Sequence, residues 1–131
     1  FFLPGAEELL SALHGRYTLC LASNGTGWVQ EGRLKSSGIL PLLDRVFISE
    51  YLGANKPQPG FFDACFASLP GVKRSESLML GDSLTSDMLG GKTAGMHTCW
   101  YNPNRLPLPT DGTVEYQIHR LPDLLPLLEK L

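Results

Sequence analysis

Residues 77–95 read SLMLGDSLTSDMLGGKTAG, and this stretch decides the fold. The apolar run SLML at residues 77–80 predicts a buried β-strand, GDS predicts a turn, and residues 84–93 predict a helix that closes at Gly95. A buried strand that leads through a tight turn into a helix is typical of a βαβ unit. The stretch therefore predicts an α/β fold with a parallel sheet.

Strands and helices alternate along the rest of the chain as well. Further strands are predicted at residues 17–22 (YTLCLA), 45–49 (RVFIS), 98–101 and 115–119. Further helices are predicted at residues 6–14, from near 26 to before 38, at 59–69 and from 122 onward. Because most of these strands are nearly continuous apolar runs, we expect a mostly parallel sheet with helices on both faces, a Rossmann-like three-layer sandwich.

Length and composition exclude several classes of protein. The 131 residues are 43% hydrophobic and 18% charged, which fits one soluble domain. A formal net charge of -2 offers no basic field to a nucleic acid polymer. No apolar run reaches about 18 residues, so no membrane span is predicted. Cys20, Cys65 and Cys99 are widely spaced and odd in number, so we expect buried thiols in the reducing cytoplasm.

Two polar loops follow predicted elements at the expected ligand-binding edge of the sheet. Ser23-Asn24-Gly25 combines a hydroxyl, an amide and a permissive glycine, which can hold an oxyanion such as phosphate or simply form a helix N-cap turn. Lys56 lies in KPQP before a predicted helix and is either a phosphate-binding cation or an ordinary surface lysine. Together they predict a phosphate site.

The loop GDSLTSD adds two carboxylates after strand 77–80. Asp82 lies at the strand end and Asp87 in the first helical turn. Mg²⁺ usually takes one or two carboxylates and completes its shell with water and substrate phosphate, so Asp82 and Asp87 are candidate metal ligands. In the alternative, Asp82 forms the turn and Asp87 is a favourable charge at a helix N-terminus. A hydroxyl, a cation and two carboxylates in succession favour phosphoryl chemistry.

These motifs resemble those of a known family. Ser23 in LASNG, Lys56 in NKPQP, and Asp82 with Asp87 in GDSLTSD are similar, in order and spacing, to the second, third and fourth motifs of the haloacid dehalogenase superfamily of phosphatases. The resemblance covers essentially the whole chain. It implies a Mg²⁺-dependent hydrolase of small phosphorylated metabolites.

The resemblance also implies a role for each residue. Ser23 would hydrogen-bond the transferring phosphoryl group, with Asn24 and Gly25 beside it. Lys56 would bind the substrate phosphate and steady its charge. Asp82 would hold Mg²⁺, and Asp87 would hold metal-bound water or Lys56, which makes Ser23, Lys56 and Asp87 the expected catalytic set.

Residues 78–103 look closest to the bacterial 5'-nucleotidase branch, whose substrates include pyrimidine nucleoside monophosphates. Residues 98–103, TCWYNP, carry part of this resemblance. Phosphoglycolate-type phosphatases share nearly all the same motifs and are the alternative enzyme. Nucleoside 5'-monophosphates are the expected substrates.

The sequence departs from the family in its first motif. That motif is a strand ending in Asp-x-Asp, whose first carboxylate attacks phosphorus, and no Asp-x-Asp occurs here. Residues 1–131 therefore resemble the C-terminal part of a core, without its first strand and cap, and are expected to be inactive alone. The alternative is an inactive fragment or pseudo-enzyme that serves as a phosphate-binding, metal-binding or assembly module. A dinucleotide-binding domain is disfavoured because no G-x-G-x-x-G follows a strand.

The remaining candidates are expected to be structural. His14, His97 and His119 are scattered singly, which does not suit a metal site. Trp28, Trp100 and Tyr101 can stack on a base but more often fill a core, and Asn102 can line the mouth of the site. The Pro-rich residues 103–109 are predicted to form a surface loop.

Overall fold

The computed structural model describes residues 5–24 and 38–130. The chain divides into two compact units, one of Phe1–Leu52 with Leu121–Leu131 and one of Gly53–Arg120. No helix within the described ranges is long and apolar enough to cross a membrane.

The first unit contains a two-stranded parallel sheet. Its elements are α1 (Ala6–Leu13), β1 (Cys20–Ser23), a 3-10 turn (Leu40–Leu42), β2 (Arg45–Ile48), α2 (Ser49–Leu52), a second 3-10 turn (Leu121–Asp123) and α5 (Leu124–Glu129). β1 pairs with β2 from Cys20↔Arg45 to Ser23↔Ile48. The buried apolar side chains of this unit include Leu9, Leu13, Ile39, Phe47, Ile48, Leu121 and Leu124.

The second unit contains a three-stranded parallel sheet in the order β3-β4-β5. Its elements are α3 (Pro59–Ala67), β3 (Leu78–Gly81), a π-helix (Leu84–Met88), α4 (Leu89–Thr93), β4 (His97–Tyr101) and β5 (Tyr116–Ile118). Its core is formed by side chains from α3, the π-helix and all three strands, among them Phe61, Phe62, Cys65, Met79, Met88, Cys99, Trp100 and Ile118.

The predicted α/β architecture with parallel strands is confirmed, and every predicted strand has a counterpart within three residues of its expected start. The strand predicted at 17–22 begins only at Cys20 because the backbone N–H of Leu19 donates to the Asp44 carboxylate at 2.7 Å. The helix predicted from near 26 to before 38 lies outside the described residues. Ser49, the last residue of the strand predicted at 45–49, instead begins α2.

Two expectations about side-chain environment are wrong. Cys20 is exposed at the start of β1, whereas Cys65 and Cys99 are buried. Partial desolvation and the nearby Asp44 carboxylate raise the pKa of the Cys20 thiol, which agrees with an unreactive side chain.

Asn102 is 2% exposed and does not line a site mouth. Its amide bonds both the N–H and the carbonyl of Leu106 at 2.9 Å and so holds the Pro-rich surface loop.

Candidate active site

Lys56 and Asp87 meet inside the second unit. The Lys56 Nζ lies 2.6 Å from the Asp87 Oδ1, and each side chain is only 8% exposed. Lys56 is therefore not an ordinary surface lysine. Desolvating both charges costs free energy, and only their close pairing offsets that cost. The structure thus brings together two residues that lie 31 positions apart in the sequence.

A π-helix turns Asp87 toward the interior. The carbonyl of Ser83 accepts hydrogen bonds from the backbone N–H groups of both Asp87 and Met88, at 3.0 and 3.1 Å. The wider turn buries these two consecutive side chains. The helix predicted at residues 84–93 is therefore divided into Leu84–Met88 and Leu89–Thr93. Short π-helices of this kind occur frequently at functional sites.

Gly81 makes room for the Asp87 carboxylate. A Cβ atom at Gly81 would overlap the carboxylate of Asp87, so a side chain cannot be placed there without moving Asp87. The backbone N–H of Ser83 donates to the Asp87 Oδ2 at 3.3 Å. The carboxylate therefore lies directly on the end of β3, with Lys56 on one oxygen and a backbone donor on the other.

Asp82 has a contrasting environment. Asp82 is exposed at the end of β3, and within the described ranges its carboxylate has no hydrogen-bond or ion-pair partner. The turn is capped instead by Ser83, whose Oγ accepts the backbone N–H of Ser86 at 3.2 Å. Asp82 is therefore not needed as a turn former, and no residue in the described part of the chain occupies its carboxylate oxygens.

The donor set fits a Mg²⁺ ion that takes one carboxylate from this loop. A free, exposed carboxylate is a suitable hard ligand, and Mg²⁺ fills the rest of its shell with water, phosphate and other carboxylates. Within residues 5–24 and 38–130 no group of three or more metal-ligating side chains comes together. The oxygens of Asp87 are already engaged by Lys56 and Ser83, and its predicted role as a second metal ligand stays a prediction.

The phosphate-binding loop predicted at residues 23–25 belongs to the first unit. Ser23 is the last residue of β1, is partly buried and pairs in register with Ile48. Asn24 follows the strand and is exposed. Gly25 lies outside the described residues. The predicted roles of these three residues in binding phosphate stay predictions.

Sequence reasoning missed the contributions of Trp100 and of two glycines. Trp100 is 2% exposed, as expected of a core residue, but its indole Nε1–H also donates to the Asp82 carbonyl at 3.1 Å. A Cβ atom at Gly90 would lie 2.6 Å from the Phe62 ring and 3.1 Å from the Pro57 Cα. The close approach of α4 to the residue after Lys56 therefore requires glycine. The Gly90-Gly91 pair inside a predicted helix was the available signal.

Known proteins are similar to this chain over most of its length. Residues 2–101 match the model of the haloacid dehalogenase-like hydrolase family. The chain is 42% identical over 129 residues to the pyrimidine 5'-nucleotidase PynA of Streptococcus pneumoniae, covering 98% of this chain and 54% of PynA. It is 36% identical to the pyrimidine 5'-nucleotidase YjjG of Escherichia coli, covering 98% of this chain and 57% of YjjG.

A solved structure is similar over the same extent. The HAD-hydrolase YfnB of Bacillus subtilis, described as putative and bound to magnesium, superposes with a TM-score of 0.93 at 36% identity, covering 96% of this chain and 55% of YfnB. The chain spans about half the length of the relatives that it matches. The match over 100 residues and the shared fold lead to one conclusion. The chain belongs to the haloacid dehalogenase-like hydrolase family.

Proposed function

We propose that the whole protein containing this chain is a Mg²⁺-dependent phosphomonoester hydrolase. The observation that carries the proposal is the buried ion pair of Lys56 with Asp87, in the same loop as Asp82, whose carboxylate has no partner within the described residues. A lysine held in place by a buried carboxylate supplies a fixed positive charge, and an exposed carboxylate nearby supplies a metal ligand. Both are needed where a phosphoryl group gains charge during transfer.

Each residue then has a defined task. Lys56 binds a phosphoryl oxygen and neutralises part of its charge, and Asp87 holds the ammonium group in position. Asp82 holds Mg²⁺, which supplies further charge neutralisation and orients the phosphate when bound. By resemblance to the family, Ser23 donates a hydrogen bond to the phosphoryl group. By the same resemblance the attacking aspartate would come from outside these 131 residues, so the 131 residues alone are proposed to be inactive.

We propose nucleoside 5'-monophosphates as the substrates. The printed names of PynA and YjjG, both pyrimidine 5'-nucleotidases, support this choice. A phosphoglycolate-type activity is the competing enzyme function, because the same motifs serve it. A non-catalytic phosphate-binding or metal-binding module is the competing non-enzymatic role. The buried free thiols of Cys65 and Cys99 support a reducing, cytoplasmic location.

The test measures phosphate release with Mg²⁺ from pyrimidine and purine nucleoside monophosphates, phosphoglycolate and sugar phosphates. Full-length protein is compared with the 131-residue chain and with full-length Asp82→Asn. We expect activity only in the full-length protein, highest on nucleoside monophosphates and about 100-fold or more lower in Asp82→Asn, the scale for losing a group that stabilises transition-state charge.

The matched control is Asp123→Asn, which neutralises another exposed carboxylate that makes no side-chain cap bond. It is expected to keep wild-type activity. Activity that survives Asp82→Asn would refute the metal-ligand assignment. An inactive full-length protein that still binds phosphate or Mg²⁺ would favour the binding-module role.

A further inference from the structure

We propose that Trp100 is a positioning residue that fixes the backbone of Asp82 for metal binding. The inference rests on the proposed function, because it takes Asp82 to be the Mg²⁺ ligand. Trp100 lies in β4 and pairs in register with Gly81, the last residue of β3. Its indole Nε1–H reaches one residue further and donates to the Asp82 carbonyl at 3.1 Å.

The hydrogen bond gives a reason for tryptophan at this position. Trp100 is 2% exposed, and a buried indole N–H without an acceptor would lose its hydration without compensation. A phenylalanine could fill a core without that requirement. The strand pairing ends at Gly81↔Trp100, so the Asp82 carbonyl lies beyond the ladder and is bonded by a side chain instead.

The peptide unit between Asp82 and Ser83 is held at both of its polar groups. Its carbonyl oxygen accepts from Trp100, and its N–H donates to the Asp87 Oδ2 at 3.3 Å. The C=O and N–H of a trans peptide point in opposite directions, so the two bonds clamp the plane from two sides. The Cα of Asp82 belongs to this plane and is thereby fixed.

Clamping the backbone matters because nothing else in the described ranges orients the Asp82 side chain, which has no partner there. A metal ligand must be held within about 0.5 Å of its productive position. Removing a group that orients a metal ligand typically weakens metal affinity about 10- to 100-fold. The Trp100 bond also supports the Asp87 carboxylate, since Ser83 links the two.

The experiment uses the full-length protein with Trp100→Phe, and with Trp100 replaced by β-(3-benzothienyl)alanine, which keeps the two-ring shape but lacks the N–H. The matched control is Thr98→Val, on the same strand. Thr98 is also buried, and its hydroxyl donates to the Thr113 carbonyl at 2.7 Å and accepts the Glu115 N–H at 3.1 Å. The control thus removes buried hydrogen bonds to the segment before β5 and leaves the bond between Trp100 and Asp82 in place.

Two quantities are measured. Amide hydrogen exchange of residues 81–87 is followed without metal, and the dissociation constant for Mg²⁺ is measured by calorimetry. In both Trp100 variants we expect exchange in this loop to be about three- to tenfold faster, as the loss of one hydrogen bond implies, and Mg²⁺ to bind about tenfold more weakly. Thr98→Val should leave both quantities at their wild-type values.

Loop exchange that is unchanged in the benzothienyl variant, or accelerated equally by Thr98→Val, would overturn the inference. Wild-type exchange and wild-type Mg²⁺ affinity in Trp100→Phe would overturn it as well. If the wild-type protein does not bind Mg²⁺ at all, the proposed function fails, and a loop-specific exchange effect in the Trp100 variants would still establish that the indole positions Asp82.

Discussion

Asp82 and Asp87 are identical side chains five positions apart, but their surroundings differ. Asp87 is buried, with Lys56 at 2.6 Å and the Ser83 N–H on its other oxygen. Asp82 is exposed, and within the described residues its carboxylate is unpartnered. A buried, paired carboxylate orients its partner, whereas a free one can accept a cation. Chemistry at this site therefore depends on burial and not on residue type.

The Lys56–Asp87 pair predicts strong coupling in a stability measurement. Lys56→Met leaves a buried carboxylate uncompensated and should lower the free energy of unfolding by about 3 kcal/mol. Lys56→Met with Asp87→Asn removes both charges and should cost clearly less than the sum of the two single changes. Urea unfolding of the full-length wild type, the two single variants and the double variant gives the four free energies of a double-mutant cycle.

Lys92→Met is the matched control, because Lys92 is an exposed lysine of α4. It should change the free energy of unfolding by no more than about 0.5 kcal/mol. Strict additivity of the Lys56 and Asp87 changes would contradict the coupling that their contact implies.

At the scale of elements, α4 is placed by glycine. A Cβ atom at Gly91 would lie 2.8 Å from the Met79 Cβ and 3.1 Å from the Thr98 Cγ2, so the helix sits directly on β3 and β4. At Gly90 the neighbours are Phe62 and the Pro57 backbone. Gly90 and Gly91 thus allow α4 to pack closely against the sheet, against α3 and against the loop that contains Lys56.

This packing reverses the usual effect of a helical glycine substitution. Gly→Ala in a helix normally stabilises by about 0.5–1 kcal/mol. Gly90→Ala should instead destabilise by about 1–3 kcal/mol, because the methyl group overlaps the Phe62 ring. Thermal or urea unfolding measures the difference.

Gly60 in α3 provides the matched control, since its Cβ would meet only the Ala54 Cβ at an ordinary 3.5 Å. Gly60→Ala should be neutral or stabilising by up to about 1 kcal/mol. A stabilising Gly90→Ala would show that α4 is not seated as closely as described.

At the scale of the molecule, the chain forms two compact units and spans about half the length of its relatives. Within the second unit, His97 joins three segments of the chain. Its Nδ1 lies 2.8 Å from a Glu115 carboxylate oxygen and its Nε2 lies 3.0 Å from the Ser75 carbonyl. Both partners are acceptors, so only the doubly protonated ring can donate to both at once.

This arrangement predicts a pH dependence of stability. The hydrogen bond to Glu115 raises the pKa of His97 above its ordinary value of 6.5. A group whose pKa is higher when folded contributes its full stability below pH 6.5 and loses it as the pH rises through the raised value. Because the pair is exposed, the effect is expected to be small.

The measurement is the urea midpoint from about one and a half pH units below neutrality to about one and a half units above it. Glu115→Gln should reduce the fall in midpoint across this range, whereas Glu76→Gln, an exposed carboxylate of the same unit, should not. An identical pH profile in Glu115→Gln and wild type would contradict the role of the pair.

The sequence by itself determined the α/β class, the parallel strands and the family, because apolar runs, turn residues and motif spacing are local properties that a single chain displays. It also singled out Ser23, Lys56, Asp82 and Asp87 as the residues to examine. Tertiary structure decided what these residues contact.

The pairing of Lys56 with Asp87 and the hydrogen bond from Trp100 to Asp82 join segments that are distant in the sequence. The π-helix differs from an α-helix by one additional residue in its turn. Periodicity cannot report such contacts, since the same pattern of apolar residues suits an α-helix and an α-helix interrupted by a π-turn. The burial of Asn102 and the exposure of Cys20 likewise depend on which residues pack against each of them. Those contacts form only when the chain folds.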